Sequence, residues 1–390
     1  METLYRLLHG SWHLQHEPFF THRRRVEGRT RAVFQIPRRI PPPWPAYSFH
    51  GASHMTSNMM RAAVLKTPDS RSPNPLSIET VSVPVPLPGE VLLKVKACGV
   101  CRTDLHIVAG ELPQLLADLI PGHQIAGEVV ESAYPHVKKG SRVGVSWIGG
   151  TDGTCRYCSD GHENLCDSPS YTGYSRNGGY AEYATARHDF VFPLPDDLED
   201  MHAAPLLCAG IIGFRSLRVA EIQPGQTVGL WGFGASAHLV LPILKHWGCR
   251  VYVSTRGSSH RELAKSLGAD WVGGESDQPP EPVDAAVTFA PSGDVVLGAL
   301  KSLQKGGIVA VNAIHLDRIP EFDYDSLLWG ERQIRSVANM TRKDARDFLA
   351  LAARLRIKPQ TTAFRLENAN EALDAVKRDA INGAAVIVPD

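Results

Sequence analysis

Three separated stretches carry residue types that bind a borderline-soft metal: Cys101 in ACGVCRTDLH (97–106), His123 in PGHQIAGEVV (121–130) and Cys208 in PLLCAG (205–210). Two thiolates and one imidazole suit zinc. Three protein ligands leave a fourth position for water or a substrate oxygen, as a catalytic zinc requires. Taken singly, each has a plainer reading: Cys208 is a small hydrophobe in an apolar helix, and His123 is a turn residue beside Gly122. A second group, Asp152-x2-Cys155-x2-Cys158-x7-Cys166, has the spacing of a metal-binding lobe, with a carboxylate where a fourth cysteine would fall. Asp ligates zinc at about 2.0–2.2 Å but donates less than a thiolate, so a closed but weaker site is expected. The alternative is three free thiols in a packed loop.

A third pattern, Gly232-Phe-Gly234-Ala-Ser-Ala237, follows the apolar run TVGLW and opens an amphipathic segment. In that strand–turn–helix setting the spacing is a dinucleotide fingerprint. Gly232 makes the tight turn, Gly234 lets the backbone approach a pyrophosphate, and Ala237 permits close helix packing. The unpaired N–H groups of the helix start attract phosphate. The following strand, RVYVSTRG, ends on Ser254, Thr255 and Arg256, without the Asp or Glu that grips an adenosine ribose. An Arg with neighbouring hydroxyls attracts a 2′-phosphate, so NADP(H) is expected over NAD(H).

These stretches resemble the zinc-dependent medium-chain alcohol dehydrogenases. The resemblance runs essentially end to end over 61–390, and its most specific pieces are GVCRTDLH, PGHQ, the cysteine lobe at 155–166, APLLCAG and WGFGASA. It implies that Cys101, His123 and Cys208 hold the catalytic zinc, the two-cysteine, one-histidine set known for alcohol dehydrogenases. It implies a structural zinc at Asp152, Cys155, Cys158 and Cys166. Thr103 would hydrogen-bond the alcohol oxygen, and His106 would pass its proton to solvent. Asp104 would orient His123. Arg102 would face the cofactor pyrophosphate, and Trp147 would line the substrate cleft, or else belong to the core. Three positions depart from the family pattern: Gln124 stands where Glu is common, Asp152 replaces a cysteine, and Ala384 replaces an Arg that contacts the cofactor.

The expected activity is the interconversion of alcohols with aldehydes or ketones by hydride transfer. The competing readings are a zinc-free double-bond reductase of the same fold and a cofactor-binding protein without turnover.

The elements that must position these residues fall into two types. From RAAVLK at 61–66 to about residue 200, short apolar runs such as EVLLKVKAC, IAGEVVES and SRVGVSWI are punctuated by Gly and Pro, predicting a compact β-rich, barrel-like domain. A helix is expected over 201–220, followed by a βαβ unit and further strands at DAAVTFA and GIVAVNA. TRKDARDFLALAARL opens on a Thr-x-x-Asp cap, and AAVIVPD returns to the first domain. The fold expected is α/β. A GroES-like catalytic domain spans 61–207 and is completed by 338–390; a Rossmann domain with a doubly wound parallel sheet spans 208–337.

Composition bounds the rest. The chain has 390 residues with 41 basic and 41 acidic side chains, so nothing global points to nucleic acid or an acidic membrane. Residues 1–60 hold eight Arg and three Glu, leaving 33 basic and 38 acidic residues in the body. This opening segment sustains no periodicity and is expected to be a disordered or non-native extension. No apolar run approaches the roughly 18 residues of a membrane span. Seven cysteines, mostly in ligand-like patterns, suit a reducing compartment, cytoplasmic unless the Arg-rich start is a mitochondrial transit peptide. The partners expected are a small alcohol or aldehyde and a second copy of the chain, in a dimer or tetramer.

Overall fold

The computed structural model describes residues 59–381 and 383–389. The extension expected over 1–60 lies outside these, except that Met59 and Met60 open the strand Met59–Leu65 instead of ending the extension.

Six strands form a parallel sheet in the spatial order Trp271–Gly273, Arg250–Ser254, Thr227–Trp231, Val283–Thr288, Leu303–Val311 and Gln333–Ser336. The sequence explains the placement. Runs such as TVGLW and VDAAVT are apolar on both faces, as strands covered on both sides must be. Val228, Leu230, Val251, Val253 and Val287 are fully buried. The strand order reverses between Thr227–Trp231 and Val283–Thr288, and ligands of doubly wound sheets bind at such a switch point.

Seven strands form the second sheet. Its path runs Thr361–Arg365, Ala384–Val388, Glu90–Val100, Gln124–Glu131, Arg142–Val145 and Val191–Pro193, with Tyr183–Arg187 also paired to Glu90–Val100. Two strands from the C-terminal end thus close against strands from the first half of the chain. Strand Glu90–Val100 is buried at Val91, Leu93, Val95 and Ala97 and delivers Cys101 at its end. Strand Gln124–Glu131 begins one residue after His123. Strand ends therefore bring two of the three candidate ligands together.

The helix expected over 201–220 is one helical run in three pieces: Asp200–Pro205, a wider π-type turn over Leu206–Gly210, and helix Ile211–Val219. The wide turn carries Cys208. Such turns inside α-helices cluster at functional sites, and hydrophobic periodicity does not reveal them. Helix Arg342–Leu355 opens with the expected cap: Thr341 Oγ1 accepts from the Asp344 N–H at 3.0 Å, and Asp344 Oδ2 accepts from the Thr341 N–H at 2.9 Å. Asp344 also receives Arg215 and Arg218, each at 2.8 Å, which ties this helix to the one following Cys208. Among the described residues, no helix is long and apolar enough to cross a membrane.

Candidate active site

Cys101 stands between strand Glu90–Val100 and helix Arg102–Val108, and its N–H donates to Asp104 Oδ2 at 2.9 Å. The ligand atoms of Cys101, His123 and Cys208 all lie within 4.8 Å of one another. The other oxygen of Asp104 lies 3.1 Å from His123 Nδ1, which fixes a hydrogen on Nδ1 and leaves Nε2 to face the two thiols. That Nε2 is buried with no hydrogen-bond partner. An unpaired buried nitrogen is costly, and a cation between it and the two sulfurs satisfies it.

The backbone around His123 is specialised. Gly122 has φ +94, and a Cβ there would meet the Tyr180 ring at 2.4 Å. Only glycine fits both the left-handed turn and the tyrosine. The Tyr180 hydroxyl in turn donates to Asp104 Oδ2 at 3.0 Å.

The protons of this cluster are shared. The hydrogen bond from Cys208, aided by His123, pulls the Cys101 thiol well below its usual range, while the same Cys101–Cys208 bond raises Cys208. Burial pushes the His123 imidazole down, but Asp104 and then Cys101 outweigh it and raise it to about 10. These are protons that a divalent cation displaces on binding, so the donor set fits zinc.

The cluster opens into a cleft of about 950 Å³. Its metal-side wall includes Thr103, His106, Gln124 and Trp147. Thr103 Oγ1 lies 3.7 Å from Cys101 Sγ, and His106 Nδ1 meets Glu111 at 2.5 Å. The Trp147 ring stands edge-on to His123, with centroids 5.2 Å apart. Arg102 also lines the cleft, with Asp379 3.5 Å away.

The far wall is the glycine loop. Gly232 has φ +87, and a Cβ there would come within 3.0 Å of the Ala290 nitrogen. Its N–H donates to the Ser254 carbonyl at 2.8 Å. Gly234 precedes helix Ala235–His246, and Ala237 is fully buried beneath it. Thr255 is buried, as is Ser254, whose hydroxyl donates to the Gly274 carbonyl at 2.9 Å. Arg256 is exposed, 3.9 Å from Glu275. Ala384 also faces the cleft.

The second group also converges: ligand atoms of Asp152, Cys155, Cys158 and Cys166 lie within 4.8 Å of one another. Asp152 Oδ1 accepts from the N–H groups of Cys155 and Thr154 at 2.9 and 2.8 Å, and these bonds hold its carboxyl well below the usual range. Burial pushes the Cys166 thiol up to about 12. Cys98, in strand Glu90–Val100, and Cys249, just before strand Arg250–Ser254, are both buried and belong to neither ligand group.

Sequence reasoning overlooked Tyr180, Asn339, Glu275 and His238. His238 follows the fingerprint directly; its Nδ1 donates to the Gly234 carbonyl at 3.2 Å, and its Nε2 is buried without a partner. The Gly-Gly-Tyr triplet at 178–180 was a usable signal for Tyr180. No local pattern marks Asn339.

Comparison with known proteins follows the same lines. Residues 87–196 match the alcohol dehydrogenase GroES-like domain, and residues 237–354 match the zinc-binding dehydrogenase domain. The chain is 45% identical over 343 residues to a probable alcohol dehydrogenase, AdhA, of Mycobacterium tuberculosis, covering 86% of this chain and 99% of that one. Among solved structures it is similar to a thermostable alcohol dehydrogenase from Pyrobaculum aerophilum with cobalt and zinc bound, at 26% identity and a TM-score of 0.77, covering 85% of this chain and all of that one. It is also similar to acetophenone reductase from Geotrichum candidum in complex with NAD, at 26% identity and a TM-score of 0.75, covering 86% and 98%. With both domains matched and such a relative aligned over almost its full length, this chain belongs to the zinc-binding, GroES-like medium-chain alcohol dehydrogenase family.

Proposed function

We propose that the protein is a nicotinamide-dependent alcohol dehydrogenase that works with zinc held by Cys101, His123 and Cys208. The observation that carries this reading is the buried, unpaired His123 Nε2 beside two thiols at the end of a cleft whose far wall is the dinucleotide loop. When bound, the metal supplies Lewis acidity and the nicotinamide supplies the redox step.

The chain's own residues bind, orient and move the proton. Trp147, with Tyr171 stacked on it at 4.7 Å, forms an aromatic wall suited to the apolar body of an alcohol. Thr103 Oγ1 accepts the substrate hydroxyl hydrogen, and its burial at 3% exposure keeps water from competing. His106 carries the proton outward, with its ring held by Glu111. Arg102 and the start of helix Ala235–His246 receive the pyrophosphate. Arg256 favours NADP(H), and the lobe at Asp152, Cys155, Cys158 and Cys166 holds a second, structural zinc.

Steady-state oxidation of a panel of alcohols, with and without a zinc chelator and with each nicotinamide, tests the reading. Chelator-sensitive turnover is expected. Chelator-insensitive reduction of activated double bonds would assign the chain to the zinc-free reductases instead, and cofactor binding without turnover would make it a non-catalytic binder.

A further inference from the structure

The aromatic wall of the cleft is anchored by Asn339, which lines the cleft beside it. The Trp147 indole N–H donates to Asn339 Oδ1 at 3.1 Å. The other end of that amide, Asn339 Nδ2, donates to the Asn164 carbonyl at 3.0 Å, and Asn164 Nδ2 donates back to the Ala338 carbonyl at 2.8 Å. Asn164 lies in the short 3-10 turn Glu163–Leu165, between Cys158 and Cys166 of the cysteine lobe, and is 3% exposed. Its neighbour Glu163 grips Arg342 through paired bonds, so the lobe clamps residues 338–342 from both ends. Asn339 itself has φ +55, a left-handed conformation that Asn tolerates better than most residues.

We propose that Asn339 is a positioning residue that fixes Trp147 against His123 and makes the indole position depend on the cysteine lobe. One planar amide joins the two: its oxygen holds the indole and its nitrogen holds the lobe backbone, so movement of the Asn164 carbonyl turns the indole. The lobe thereby acts on the substrate wall without touching substrate. The inference rests on the reading of the cleft as the alcohol site. It predicts a change in substrate affinity more than in the chemical step, because Asn339 contacts none of the three candidate ligands.

The test uses the full chain grown with 5-fluorotryptophan, with the Trp147 fluorine resonance identified as the one lost in Trp147→Phe. Asn339→Gly keeps the left-handed backbone while removing both side-chain bonds. Asn339→Asp keeps the acceptor for the indole and drops the donor to Asn164. Asn164→Ala acts from the lobe side. Asn339→Gly and Asn164→Ala are expected to move the Trp147 resonance and raise the alcohol KM about 3–10-fold with kcat within about twofold. Asn339→Asp sets a carboxylate oxygen against the Asn164 carbonyl in place of the donor, so it is expected to move the resonance and raise the KM as Asn164→Ala does, and adding Asn164→Ala to it should have little further effect on the resonance. An unmoved Trp147 resonance in Asn339→Gly or in Asn164→Ala overturns the proposal, as does a fall in kcat at constant KM. A moved resonance in a chain that oxidises no alcohol keeps the anchoring network and removes the alcohol reading instead.

Discussion

The Tyr180 hydroxyl donates to Asp104 Oδ2 at 3.0 Å, and neither side chain is exposed to solvent. Asp104 thus receives the Cys101 N–H, the Tyr180 hydroxyl and the His123 Nδ1 hydrogen. A buried carboxylate needs such donors, and its fixed orientation turns His123 Nε2 toward the thiols. Tyr180→Phe keeps the ring and removes one donor. Metal affinity should fall about tenfold, measured by chelator competition, with kcat of the metal-saturated protein changed far less. Unchanged affinity would remove Tyr180 from the support of the site.

Two converging ligand groups predict about two zinc ions per chain by elemental analysis. Cys101→Ser should abolish one of them and lower turnover by at least about a thousandfold, since a Lewis-acid metal contributes several kcal/mol to the barrier. Retained turnover in that variant would end the zinc reading.

Asp152 has two roles that a single substitution separates. Its Oδ1 caps the Cys155 and Thr154 N–H groups, and its charge would serve a metal. Asp152→Asn keeps an acceptor oxygen and loses the charge. The lobe ion should then wash out at chelator concentrations that leave it in the parent, while the metal-free forms melt within about 2 °C of each other. Equal ion retention would make Asp152 a cap alone.

Arg256 is exposed and has a carboxylate, Glu275, 3.9 Å away. Arg256→Ala should lower kcat/KM with NADPH by about tenfold, the worth of one charge-assisted phosphate contact, and leave NADH nearly unaffected. A higher parent kcat/KM with NADH than with NADPH would refute the cofactor preference outright.

Asp344 carries an acid-stability prediction. Burial raises its carboxyl, but the Thr341 N–H and hydroxyl, with Arg218 and Arg215, outweigh that and leave it lowered. A carboxyl lowered in the fold contributes stability above its unfolded pKa, and that contribution fades as pH falls through the folded value. Asp344→Asn should cost about 3 kcal/mol at neutral pH by stranding the Arg215 guanidinium and leaving Arg218 with Asp347 alone. The gap between parent and variant in denaturant titrations should narrow below about pH 4. A gap independent of pH would mean that packing, not charge, supplies the effect.

Local chemistry is what a sequence displays well. The Gly232–Ala237 turn sits between the apolar strand Thr227–Trp231 and the helix Ala235–His246, so its strand–turn–helix geometry follows from a couple of dozen contiguous residues. Asp152 to Cys166 close on one another within one short loop, and Thr341 and Asp344 cap their own helix. In each case the interacting groups are near neighbours in the chain, so spacing alone constrains them.

Tertiary structure decided whatever joins distant segments. Cys101 and His123 meet because adjacent strands end side by side, and Cys208 reaches them through a π-type turn that no periodicity announces. Tyr180 reaches Asp104 from 76 residues away, and Asn339 reaches Trp147 from 192. Side chains of ordinary type acquire these roles only through packing, since sheet register and close helix contact, not residue identity, set which atoms face each other.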